Sequence, residues 1–91
     1  MKEITPDKLR EINKALKRYK AEYDPSKKLV EFDGSVYTVY ISIDYDETEG
    51  EFIINLCNPA KLNEVQREAF HKEIHFTTKV TNKLNSILNE Q

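Results

Sequence analysis

Tryptophan is absent from this 91-residue chain, cysteine occurs once, glycine twice and proline three times. The lone Cys57 excludes an internal disulfide and fits a reducing compartment. Gly34 and Gly50 both stand in turn-like stretches, so neither a phosphate-cradling glycine loop nor a nucleophile elbow is written here. No run approaches the roughly 20 apolar residues of a membrane-spanning helix. The opening MKEITPDKLREI carries charges where a signal peptide needs an apolar run. The expectation is one cytoplasmic domain over residues 1–91, without membrane contact.

Basic side chains are missing from residues 29–59, which hold seven acidic ones. The flanks carry +4 (1–28) and +1 (60–91), so a net charge of −2 conceals a negative centre between basic or neutral ends. That asymmetry bears on partners rather than on fold.

Thr5-Pro6 is a helix start, cap then proline. Leu9, Ile12, Leu16, Tyr19 and Tyr23 follow at steps of three and four, which predicts a helix ending before Asp24-Pro25. Asp33-Gly34 predicts a two-residue hairpin turn between a strand of Leu29–Phe32 and one of Val36–Tyr45. In the longer strand Tyr37, Val39, Ile41, Ile43 and Tyr45 alternate against Val36, Thr38, Tyr40, Ser42 and Asp44. Glu51–Cys57 reads as a third strand with Phe52, Ile54 and Leu56 inward. Asn58-Pro59 repeats the cap-proline signal, and neither proline nor glycine follows. Leu62, Val65, Ala69, Phe76, Val80, Leu84 and Ile87 form one helical stripe, widened by Phe70, Ile74 and Leu88. The fold class is therefore α+β: a helix, a three-stranded antiparallel meander and a long C-terminal helix.

An unbroken helix over 59–89 spans about 46 Å, whereas a compact chain of this length is only about 30 Å across. The helix must break, with Thr77 or Thr78 capping a second segment, or protrude. If it does not break, the distal stripe Val80, Leu84, Ile87 and Leu88 needs another subunit, which predicts a homodimer through that helix.

Several groups of residues invite a site. His71-Lys72-Glu73-Ile74-His75 is close to zinc-protease lettering, but the glutamate stands one place too late, about 100° from the direction hydrolysis requires. Glu64, Glu68, His71 and His75 share the polar side of the helix, where a histidine pair and carboxylates suit a transition metal or simply water. Asp44, Asp46, Glu47, Glu49 and Glu51 miss the calcium-loop spacing and form an acidic rim suited to a basic partner. Arg10, Lys14, Lys17 and Arg18 project from the first helix as a phosphate-facing patch. Tyr40 and Ile53, on a sheet face less polar than exposure warrants, are candidate anchors for a protein partner. Cys57, opposite Phe52 and Leu56 in the strand alternation, reads as a small hydrophobe rather than a nucleophile.

In topology alone, the helix–strands–helix order resembles the double-stranded RNA-binding domain, which implies phosphate contact through its helices. That family has a basic cluster at the start of its second helix, where this chain has Lys61 among neutral residues and Glu64. The order also resembles secretion-type chaperones, small acidic dimers that hold an extended partner segment. The expected function is a non-enzymatic protein-binding module (inhibitor, adaptor or regulator) without cofactor. Nucleic-acid binding and chaperone-like binding are the alternatives.

Overall fold

The computed structural model describes residues 2–33, 40–56 and 58–90. Helix α1 spans Pro6–Leu16; Thr5 caps it by accepting from the Lys8 N–H, and Pro6 opens it. A 3₁₀ turn, Lys17–Tyr19, ends at Lys20 with φ 54°, a left-handed stop. The chain then enters strand β1, Ala21–Asp24, where the periodicity predicts helix. Tyr23 fits both periods, and tertiary packing decides. Tyr23 is buried, its ring edge-on to Tyr45 at 6.2 Å and to Phe52 at 5.3 Å.

Strands β2 (Leu29–Phe32), β3 (Ile41–Asp46) and β4 (Glu51–Leu56) complete a four-stranded antiparallel sheet in the order β1-β2-β3-β4. The class is α+β as expected, with one strand more than the predicted meander. Leu29 lies opposite Asp44, whereas a two-residue turn at Asp33-Gly34 would place it opposite Thr38. Both registers keep Val30 on the core face, so alternation alone does not separate them. The observed one sets Ile41 and Ile43, rather than Ser35 and Tyr37, beside Phe32 and Val30. Residues 36–39 of the predicted long strand, and Cys57, lie outside the described residues.

Helix α2 runs unbroken over Glu64–Asn89, about 39 Å, within a molecule 42 Å long. Asn58-Pro59 starts only a 3₁₀ turn, Pro59–Lys61. The α2 cap is Asn63, in a reciprocal capping box with Gln66. Thr77 caps nothing; it is buried and its hydroxyl donates back to the Glu73 carbonyl at 2.8 Å. Val80, Leu84 and Ile87 are 0, 1 and 5% exposed, and Leu88 packs beside them. The stripe expected at a dimer seam is thus covered within the chain by α1 and the sheet and does not call for a second subunit. The uncovered part is proximal: Val65 is 76% exposed, and Ala69 is exposed too.

Both helices lie on the same face of the sheet. Ile12 and Leu16 of α1, Val80, Leu84 and Ile87 of α2, and Tyr23, Val30, Ile43, Tyr45 and Phe52 of the strands form one core. The helices run antiparallel: Lys8 donates to the Ile87 carbonyl at 2.8 Å at one end, and Tyr19 meets Phe76 at 5.6 Å at the other. The Lys8 ammonium also supplies the cation that the last turn of α2 lacks. Asparagines on the helices meet both sheet edges. Asn13 of α1 accepts the Tyr23 N–H at 2.9 Å, and Asn85 of α2 holds both backbone polar groups of Phe52. No helix among the described residues is long and apolar enough to cross a membrane.

Candidate functional site

Two helices on one face leave the other uncovered among the described residues. Alternation sends Glu22, Asp24, Leu29, Glu31, Ser42, Asp44, Asp46, Glu51, Ile53 and Asn55 to that face, and none of them is buried. One rung crosses all four strands as Asp24, Leu29, Asp44, Ile53. Leu29 and Ile53, half-buried, are therefore apolar islands flanked by carboxylates. On either side, Glu22 faces Glu31 and Asp46 faces Glu51 directly across the strands. Like charges so placed destabilise a sheet.

Little basic charge offsets this face. Lys27 reaches Glu31 at 3.4 Å; among the described residues Glu22, Asp24, Asp44, Asp46 and Glu51 have no ion-pair partner. Asp24 accepts from the Ser26 hydroxyl at 2.6 Å and the Ser26 N–H at 2.9 Å. Those bonds hold its carboxyl below the usual carboxylate range, so it stays charged. Asp44 accepts from the Asn55 amide.

The predicted acidic rim divides on inspection. Asp44, Asp46 and Glu51 belong to the open face. Asp46 also ties its own turn, accepting from the Thr48 N–H at 2.9 Å and the Glu49 N–H at 3.3 Å. Glu47 is half-buried and paired with Lys28, which removes it from the free rim. Glu49 is exposed. Lys2 crosses this turn, with its N–H on the Glu47 carbonyl at 2.9 Å. A Cβ on Gly50, which has φ 73°, would stand 2.6 Å from the Lys2 side chain. Glu22 and Asp24 are additions to the expected rim, because β1 reads as helix in sequence; Glu31, on the expected strand β2, is a further one. The available signal is Asp24-Pro25-Ser26-Lys27, a turn signature between two short alternating runs.

Tyr40 and Ile53 do not share a face. Ile53 stands on the open side, but Tyr40 precedes β3 and turns to α2, its ring 6.4 Å from Phe70 and its N–H donating to Glu73 Oε2 at 2.7 Å. Glu73 is 4% exposed. The "HKEIH" stretch thus places its glutamate inward and both histidines in water. Glu64 and Glu68 are exposed alongside them. No group of three or more histidine, cysteine, aspartate or glutamate residues among the described residues is arranged to hold a metal ion.

On the helix layer, Arg10, Lys14, Lys17 and Arg18 are all exposed. Arg10 is paired with Asp7, and Arg18 lies 5.3 Å from the Tyr19 ring centre. Lys14 and Arg18 share a shallow groove with Lys83 and Ile87 of α2, and Glu11 and Glu90 line it too. A concavity of about 870 Å³ follows β1 and is lined by both signs of charge, Lys17 and Lys20 against Glu22 and Asp24. No protein-family model, curated protein or solved structure matches this chain.

Proposed function

We propose that this chain acts by binding another protein, as an inhibitor, adaptor or regulator, through the open face of its sheet. The observation that carries the reading is the facing of Glu22 with Glu31 and of Asp46 with Glu51 on a bare surface. Such pairs cost stability; Asp46 also holds its turn and Glu31 meets Lys27, but neither role calls for a second carboxylate, Glu51 or Glu22, directly opposite. A basic partner surface relieves that repulsion, and Leu29 and Ile53 at the centre offer apolar area between the charges. The mechanism is electrostatic capture followed by short-range packing, with no covalent step.

The test is calorimetric titration with a lysine- and arginine-rich peptide and a neutral peptide of equal length, at two salt concentrations. Only the basic peptide should bind, more weakly at high salt. The triple variant Glu22→Gln, Asp24→Asn, Asp44→Asn should lose that binding and keep its fold. Equal binding by the variant refutes the reading.

A second reading, nucleic-acid binding, rests on Lys14, Arg18 and Lys83 lining one groove, where they outnumber Glu11 and Glu90. It puts the site on the opposite side of the molecule. Lys14→Ala with Arg18→Ala should then abolish a steeply salt-dependent affinity for mixed-sequence RNA or DNA, and the acidic-face variant should not weaken it.

A further inference from the structure

We infer that the C-terminal half of β4 pairs, antiparallel, with the same segment of a second copy of this chain about a twofold axis at Asn55. Phe52 lies opposite Tyr45, whose N–H goes to the Lys28 carbonyl on the other side. The Phe52 backbone groups therefore point out of the sheet, and Asn85 occupies both. Ile54 and Leu56 have the same phase, so their N–H and C=O groups also point outward. Among the described residues no group bonds to them there.

The helix layer leaves this corner open. Helix α2 passes the β4 edge at Asn85 and crosses inward, so that Phe76 meets Phe32 of β2 at 5.8 Å. Leu56, on the helix side, is consequently 50% exposed. Residues 52–57 contain no charge in a chain one-third charged. Sheet edges are ordinarily protected by charge, proline or cover. The opposite edge, β1, carries Glu22 and Asp24, has Asn13 on Tyr23 and is followed by Pro25.

Self-pairing has one register that uses only vacant groups. Placing Ile54 opposite Leu56 of the second copy, and Leu56 opposite its Ile54, makes four backbone hydrogen bonds about Asn55. Shifting so that Ile54 meets itself requires Phe52, which Asn85 holds. Shifting so that Leu56 meets itself requires Asn58, whose carbonyl already accepts from the Lys61 N–H. The vacant register stacks Ile54 on Leu56 at both ends of the twofold, covering the exposed leucine. Glu51 falls opposite Pro59, so no like charges meet. A segment complementary to itself in hydrogen bonding, side chain and charge fits a second copy, and the product is an eight-stranded sheet with the acidic face doubled.

Sedimentation equilibrium should show the mass rising from one chain to two between about 1 and 100 µM, the range of a micromolar dissociation constant. Leu56→Lys, at an exposed site, should keep the fold and weaken the dimer at least about tenfold, since it places a charge in the seam. Asn55→Cys in a Cys57→Ser background should oxidise to a covalent dimer, because non-hydrogen-bonded partners stand about 4.5 Å apart at Cα. Lys72→Cys in the same background, on exposed α2 surface, should not. A chain that stays monomeric throughout overturns the inference and leaves the edge to a strand of another protein. Equal dimerisation by Leu56→Lys, or equally fast cross-linking through Lys72→Cys, overturns it as well.

Discussion

Asn85 of α2 treats Phe52 as a neighbouring strand would. Its Oδ1 accepts the Phe52 N–H at 2.7 Å and its Nδ2 donates to the Phe52 carbonyl at 3.0 Å. One side chain thereby closes a rung of the β4 edge and fixes α2 against a core aromatic that is 2% exposed. Asn85→Ala leaves two backbone groups without that partner, and a cost of about 2 kcal/mol follows. Urea unfolding should show a lower midpoint with an unchanged slope. A loss below about 0.5 kcal/mol would mean that water replaces the amide freely.

Within "HKEIH" the stability resides in the residue between the histidines. His71 and His75 are exposed, and Glu73 is buried with the Tyr40 N–H on its carboxylate. His71→Ala with His75→Ala should change stability by no more than about 0.5 kcal/mol. Glu73→Ala should cost about 2 kcal/mol, since it strips an acceptor from a part-buried N–H and empties a buried site. Thermal unfolding of the two proteins side by side decides, and a reversed order of melting temperatures defeats the assignment.

Thr81 is the reverse case. Its hydroxyl is buried with no hydrogen-bond partner among the described residues, whereas the Thr77 hydroxyl donates to the Glu73 carbonyl. Thr81→Val keeps the shape and removes the unsatisfied group, so it should stabilise by about 1 kcal/mol. Thr77→Val breaks a bond and should not stabilise. Denaturant midpoints for the two variants should move apart; movement together would show that the hydroxyl environments are equivalent.

What sequence reveals here depends on whether one interaction or many set each feature. The Thr5 cap and the Ile41, Ile43, Tyr45 alternation are local, and both are legible. The first helix was overextended because Tyr19 and Tyr23 satisfy helical spacing, while contacts with Tyr45 and Phe52 draw Tyr23 into a strand. The β2–β3 register escaped because two pairings bury the same side of Val30. The inward Glu73 meets the Tyr40 N–H, thirty-three residues away in the chain, a contact no local pattern announces. The open acidic face is half legible: Asp44, Asp46 and Glu51 read directly from their strands, whereas Glu22 and Asp24 fall where the spacing reads as helix.

Tyr23 makes the fold sensitive to alkali. Burial, then the neighbouring Tyr45 and Asp24, push its phenol up to about 12 from 10.0. Tyr45 moves the same way, through burial and then Asp46, and its hydroxyl donates to the Lys2 carbonyl. In the unfolded chain both phenols ionise near their ordinary value. Between about pH 10 and 12 the unfolded state therefore holds fewer protons than the native one, and stability falls as pH rises. Below about pH 10 this contribution is fully present. The loss from Tyr23 reaches up to about 3 kcal/mol across that window. Tyr23→Phe keeps the ring among Tyr45 and Phe52 and removes the ionising group. Urea midpoints from about pH 9 to 12 should fall steeply for the native sequence and less steeply for Tyr23→Phe. Parallel slopes would place the alkaline sensitivity in other groups.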